Sequence, residues 1–198
     1  MIKFNNLCKE KPYSIFKKKY DESLKAHQLN IEAMCISSYS NELKEVNARF
    51  VNLKSIDKKN FIFFSNYLSP KAKEFHTHSQ ITALIYWNST NTQIRLKANI
   101  EKTSTKFNET YFLNRDKNKN ALSISSNQSL RIESYGQVKE NYNKSLMKNN
   151  LDKCPNYWGG FSFEPYYFEF WKGHGSRLNE RDVYELKNGN WNNYTLEP

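Results

Sequence analysis

Residues 80–87 read QITALIYW, and residues 93–101 read QIRLKANIE. The first run is almost continuously apolar, the pattern of a strand buried on both faces. The second alternates apolar and polar side chains, the period of two that turns one face of a strand to a core. Working outward, residues 33–38, 46–53 and 60–65 (NFIFFS) carry further strand signals, as do 165–171, 181–186 and 191–196. Gly189 and its Asn neighbours supply a hairpin turn before the last strand. Helical spacing appears at 12–28, with Ser14 as N-cap and Ile15, Phe16, Tyr20 and Leu24 on one face. Ser69 followed by Pro70 opens another helix. Residues 105–115, 118–126 and 134–148 read as helices too. Five to eight mostly antiparallel strands with helices at their ends predict an α+β protein built on a small barrel.

The 198-residue chain suffices for one domain, and no linker divides it; residues 12–198 read as that domain. Disorder is expected in residues 1–11. Apolar content is low at 38%, but aromatics reach 15% and bury large areas each, so the core is adequate. The net charge of +10 points to an anionic partner. The lysines are scattered rather than striped, so a phosphate-bearing small ligand is preferred to nucleic acid. Cys8, Cys35 and Cys154 are widely spaced, with no C-x-x-C, which argues against a disulfide framework or a zinc site. That suits a reducing cytosol. No signal peptide and no long apolar run is evident, so a soluble cytoplasmic protein with no membrane partner is expected. His76 and His78 diverge on a helix and lack an acidic partner, so no metal is expected.

Four clusters carry candidate chemistry. Arg49 to Lys54 (RFVNLK) places two cations at the ends of a strand, which suits a shallow anion site or a charge-protected edge. Phe64-Ser65-Asn66 with Ser69-Pro70-Lys71 brings hydroxyls, a lysine and a helix N-terminus together, either as a phosphate site or as an ordinary strand–turn–helix. Tyr111, Arg115 and Lys119 recur every four residues and would share one face of a continuous helix, as a phosphate clamp or a solvated face. The fourth runs from Trp158-Gly159-Gly160 through Glu169-Phe170-Trp171 to Arg177-Leu178-Asn179-Glu180-Arg181. It reads either as a site or as a core strand followed by a polar loop.

In order and in register, these clusters resemble the pyridoxine 5′-phosphate oxidase family. Its landmarks are R-x-V-x-L-K, Y-[ST]-N followed by S-x-K, Y-F-x-x-R, Q-S, W-G-G, E-F-W and R-L-x-x-R. Here they stand at Arg49 to Lys54, Phe64 to Asn66, Ser69 to Lys71, Tyr111 to Arg115, Gln128-Ser129, Trp158 to Gly160, Glu169 to Trp171 and Arg177 to Arg181. The resemblance runs from about residue 12 to Pro198. It implies a split β-barrel and a homodimer with two flavin mononucleotide (FMN) sites at the interface. By resemblance, Arg49 and Lys71 hold the FMN phosphate with Ser65 assisting, and Phe50, Val51, Lys54 and Phe64 belong to the cofactor site. Gln93, Gln128, Ser129, Trp171 and Arg181 would contact the flavin, partly from the other chain. Lys54, Tyr111, Arg115 and Lys119 would grip a substrate phosphate. Arg177 and Asn179 would stand at the reacting carbon as the catalytic pair.

Three positions depart from the family pattern. Asn179 replaces a His, Lys119 a Ser, and Pro70 an Arg. Asn179 is the largest change, because an amide does not titrate near neutral pH. The implied activity is oxidation of pyridoxamine or pyridoxine 5′-phosphate to pyridoxal 5′-phosphate with dioxygen as acceptor. The alternatives are a related flavoenzyme acting on another compound, such as a phenazine precursor, and a non-catalytic FMN or pyridoxal-phosphate binder.

Overall fold

The computed structural model describes all 198 residues. In chain order the elements are β1 (Lys3–Asn5), α1 (Lys11–Lys25), β2 (Ala33–Ser40), β3 (Glu45–Asn52), β4 (Ser55–Asp57), β5 (Asn60–Asn66), α2 (Pro70–Thr77), β6 (Gln80–Trp87), β7 (Thr92–Lys102), α3 (Thr105–Leu113), α4 (Lys117–Ser125), α5 (Tyr135–Lys148), β8 (Trp158–Lys172), β9 (Glu180–Lys187) and β10 (Asn190–Thr195). The strands form one ten-stranded sheet in the order β1-β4-β5-β8-β7-β6-β2-β3, with β9 and β10 branching from β8. Only the β1–β4 pair is parallel. The mixed, mostly antiparallel α+β class expected from the sequence is the one found.

β8 organises the sheet. Its first half pairs with β5, its second half with β9, and its other edge with β7. The ladder to β7 shifts register at Lys97/Ala98, so Tyr166 is the extra residue of a bulge just after Pro165. Strand propensity falls at Pro165, which is why the sequence suggests a start there. The bulge lets the strand run through it instead. The core packs aromatic on aromatic: Phe16 meets Phe61 edge-on at 5.1 Å, and Phe61 stacks on Phe163 at 5.4 Å.

Three local expectations are corrected. The first residues are ordered. Lys3–Asn5 pair with Ser55–Asp57, Ile2 is buried, and Phe4 lies edge-on to Tyr20 at 5.0 Å. Two apolar side chains are too few for a periodicity to register, yet enough to seal this corner of the core. α1 starts at Lys11, with Glu10 at the N-cap and Ser14 inside the first turn, where its Oγ donates to the Lys9 and Glu10 carbonyls. Its buried face is Tyr13, Phe16, Tyr20 and Ser23, while Leu24 is exposed. β6 alternates rather than being buried on both faces: Ile81, Ala83, Ile85 and Trp87 point inward, and Tyr86 is 55% exposed because nothing in this chain covers it.

Candidate functional site

A pocket of about 240 Å³ opens where β3, β5, α2 and α3 converge. Phe50, Val51, Asn52, Lys54, Phe64, Ser65, Lys71, Tyr111, Arg115 and Gln128 line it. The local geometry follows from Trp158-Gly159-Gly160. Gly159 and Gly160 lie in register with Ser65 and Phe64. A Cβ on Gly159 would sit 2.2 Å from the Tyr67 hydroxyl and 2.4 Å from Asn108 Nδ2, so only glycine lets α3 press onto β8. That closeness stacks Phe64 on Tyr111 at 3.7 Å and on Trp158 at 5.1 Å. The Arg115 guanidinium lies over the Trp158 ring at 5.0 Å, a cation–π contact.

The cations here are poorly compensated. Lys71 is 7% exposed, and its Nζ donates to Ser65 Oγ at 2.9 Å and Ser69 Oγ at 3.2 Å. Burial, reinforced by the Arg49 charge, pushes it down to about 8. Burial also lowers Lys54, with Lys119 and Arg115 adding repulsion, and lowers Arg115. Burial raises Tyr111, which stays a neutral phenol. No carboxylate lines the pocket. Ser69 stands at the N-cap of α2, but its Oγ donates to the Asn66 carbonyl and accepts from Lys71 rather than capping the helix. Gln128 Oε1 accepts from Ser65 Oγ at 2.9 Å and from the Asn66 amide at 3.2 Å, tying the 126–134 segment to the pocket. Arg49 stands just outside it, ion-paired with buried Glu74 at 2.9 Å.

A second group lies elsewhere. Gln93, Trp171 and Arg181 are ladder partners across β7, β8 and β9 and form one row. From Gly159 to Trp171 an extended strand covers roughly 40 Å, and none of the row lines the pocket. Arg177 and Asn179 sit in the loop between β8 and β9. Arg177 has φ +63°, and the Asn179 amide nitrogen donates to its carbonyl at 2.8 Å. Asn179 Oδ1 accepts from the His174 amide at 3.1 Å, so this side chain braces the turn that presents Arg177.

Comparison with known proteins places the chain. Residues 158–198 match the pyridoxine 5′-phosphate oxidase C-terminal dimerisation region. The chain is similar to the pyridoxine/pyridoxamine 5′-phosphate oxidase of Colwellia psychrerythraea, 32% identical with 94% of this chain and 87% of the relative covered. The chain belongs to the pyridoxine/pyridoxamine 5′-phosphate oxidase family. The oxidase of Aliarcobacter butzleri is 31% identical, covering 96% of this chain and 90% of its own. Among solved structures, PhzG from Burkholderia lata superposes with a TM-score of 0.88 at 22% identity, covering 95% and 93% of the two chains. A pyridoxamine 5′-phosphate oxidase-related, FMN binding protein from Nostoc punctiforme gives 0.75 at 11%, covering 92% and 97%. These likenesses establish the split-barrel fold.

Of the residues that family resemblance singles out, the pocket gathers Phe50, Val51, Lys54, Phe64, Ser65, Lys71, Tyr111, Arg115 and Gln128. It leaves out Lys119. The chain turns at Asn114–Asp116 between α3 and α4, and Asp116 caps α4 by accepting from the Lys119 amide at 3.1 Å. The single continuous helix on which Tyr111, Arg115 and Lys119 would share a face therefore does not form, in keeping with the two separate helices read at 105–115 and 118–126. Lys119 opens on a separate depression beside Tyr135 and Tyr142. Ser129, with φ +68°, lines a larger cavity of about 700 Å³ between α4, α5 and their connection. Asn52, Glu74, Arg95 and Glu169 were not singled out for a role. Arg95 was within reach of sequence reasoning, two residues beyond Gln93 on the same strand face. No group of His, Cys, Asp and Glu is arranged to hold a metal. No helix is long and apolar enough to cross a membrane.

Proposed function

We propose that this protein is an FMN-dependent oxidase that converts pyridoxamine or pyridoxine 5′-phosphate to pyridoxal 5′-phosphate, with dioxygen as final acceptor. We further propose that it works as a homodimer with each flavin between two copies. The observation that carries this reading is the set of cations, buried Lys71 with half-buried Lys54 and Arg115, around a small pocket free of carboxylates. Such a surplus of positive charge fits phosphate, and two phosphates, one of cofactor and one of substrate, fit it better than one. Ligand sites span roughly 300–1,000 Å³, so a pocket of about 240 Å³ suits one end of a ligand whose remainder lies against another surface. Phe50, 76% exposed at its lip, and the distant Gln93–Trp171–Arg181 row agree with completion by a second copy.

In this reading Lys71 and Ser65, with Arg49, hold the FMN phosphate. Lys54 and Arg115 take the substrate phosphate, and the neutral Tyr111 phenol donates to it. Bound FMN supplies the two-electron acceptor for the substrate carbon. Arg177, a fixed cation on a braced turn, orients the substrate ring, and Asn179 serves by holding that turn rather than by moving a proton. Phe64, Tyr111 and Trp158 form an apolar wall that keeps water from the phosphate ligands and strengthens them.

The flavin is FMN rather than FAD, since the phosphate site would terminate the ligand. Mass spectrometry of the released chromophore tests this, with FAD as the contrary result. Peroxide release with pyridoxamine and pyridoxine phosphates tests the reaction. Asn179 favours a second reading, a flavoenzyme with another substrate; tight FMN without peroxide from either phosphate would select it.

A further inference from the structure

Glu169 on β8 is 2% exposed and serves two arginines at once. Its Oε1 accepts both Arg181 Nε at 2.9 Å and Arg181 Nη2 at 2.8 Å, a fork held at two points. Its Oε2 accepts from Arg95 and from the Tyr167 hydroxyl, the latter at 3.0 Å. Arg95 faces Glu169 directly across the β7–β8 ladder, and its Nε is buried without a partner. Two residues further along the same strands stand Gln93 and Trp171, in the row that Arg181 completes on β9. Burial opposes ionisation of Glu169, but the hydrogen bonds from Arg181, Arg95 and Tyr167 outweigh it and keep the carboxyl below its usual range.

The cluster is one positive charge in excess: two guanidiniums share one carboxylate. A buried ion cluster adds little net stability over apolar packing, so stability alone does not account for two arginines here. A fork fixed at two points does leave Arg181 a single orientation. Resting on the FMN reading above, we propose that Glu169 is a positioning residue and that Arg95 acts through its charge. Glu169 fixes Arg181 against the flavin ring, and the surplus charge shared with Arg95 favours the reduced, more negative flavin. Charge beside the ring is one of the protein's levers on a flavin's electronics.

The test uses the holoprotein and two variants, Glu169→Gln and Arg95→Gln, with FMN and riboflavin titrated by fluorescence and the bound flavin's midpoint potential measured. Glu169→Gln removes a negative charge and should raise the potential; Arg95→Gln removes a positive charge and should lower it. Loosening of the fold alone would move both in one direction or neither. Glu169→Gln should also weaken FMN and riboflavin by the same factor, about tenfold for a lost charged anchor, because the loss is at the ring end. Arg95→Gln keeps the Arg181 fork and should leave both affinities within about threefold, below the cost of a charged hydrogen bond. Potentials shifting in the same direction, unshifted potentials, or an unchanged affinity in Glu169→Gln overturn the proposal. If Glu169→Gln does not fold, Arg95→Gln decides: a lowered potential supports the proposal and an unchanged one overturns it. A wild-type protein that binds no FMN removes the functional reading itself and the proposal with it.

Discussion

Lys71 meets burial and the Arg49 charge with two hydroxyls as hydrogen-bond partners and only the longer-range pull of Glu74, and its ammonium is pushed down to about 8. A phosphate beside it restores the proton, so above that pH binding must take a proton up. FMN affinity should therefore fall as pH rises through about 8, by up to about tenfold per unit. Lys71→Arg should flatten that fall. Fluorescence titration from pH 7 to pH 10 checks it, and a flat wild-type curve would count against Lys71 as the phosphate ligand. Lys119 and Arg115 should part company. Arg115→Ala should raise the Michaelis constant for the phosphorylated substrate by about tenfold or more, the cost of a charged hydrogen bond. Lys119→Ala should change it by less than about threefold, since Lys119 lies outside the pocket. Asn179 offers a third check. Wild type should lack a pH–rate limb near about 6.5, and Asn179→His should add one. A limb near that pH in the wild type, or none in Asn179→His, would contradict this. The pocket's cations were legible through motif order; by themselves, Arg, Lys and Ser at these spacings fit an anion site or an ordinary strand–turn–helix. Glu74 and Glu169 were not, because a carboxylate that orients an arginine has no signature until folding brings the two together.

Strands were the most legible elements. β6 spans residues 80–87 as read, β3 and β7 differ from their reading by a residue at each end, and β5 runs one residue further at its C-terminal end. Alternation against a core is a strong signal. β1 and β4, three residues each, are too short to carry one, and the early part of β8 hid behind Pro165. β1 nonetheless matters for stability. Ile2→Ala should cost about 2–5 kcal/mol, read as a lowered denaturant midpoint. A change under about 0.5 kcal/mol, typical of exposed positions, would mean that β1 is not docked in solution. Gly159→Ala drives a Cβ against Tyr67 and Asn108 and should separate α3 from β8. It should lower stability by the roughly 1–3 kcal/mol of an overpacked site, and raise the Michaelis constant for the phosphorylated substrate, because Tyr111 and Arg115 move with α3.

The chain bears its candidate residues in two groups that one ligand does not span: the cationic pocket, and the row of Gln93, Trp171 and Arg181 with its adjoining loop. The apolar side chains it leaves uncovered, Phe50, Tyr86, Leu130 and Ile132 among them, agree with a partner of the same sequence. The split barrel was legible in strand pattern and motif order together, whereas the separation of the groups depends on how β8 runs through the sheet. Sedimentation velocity of the FMN-loaded protein, followed in the flavin's visible absorbance band, tests the joint claim of flavin binding and pairing most directly. The account predicts that the flavin travels with a species of about twice the 23.5 kDa chain mass. Flavin held by the single chain, or a dimer sedimenting without flavin, would contradict it.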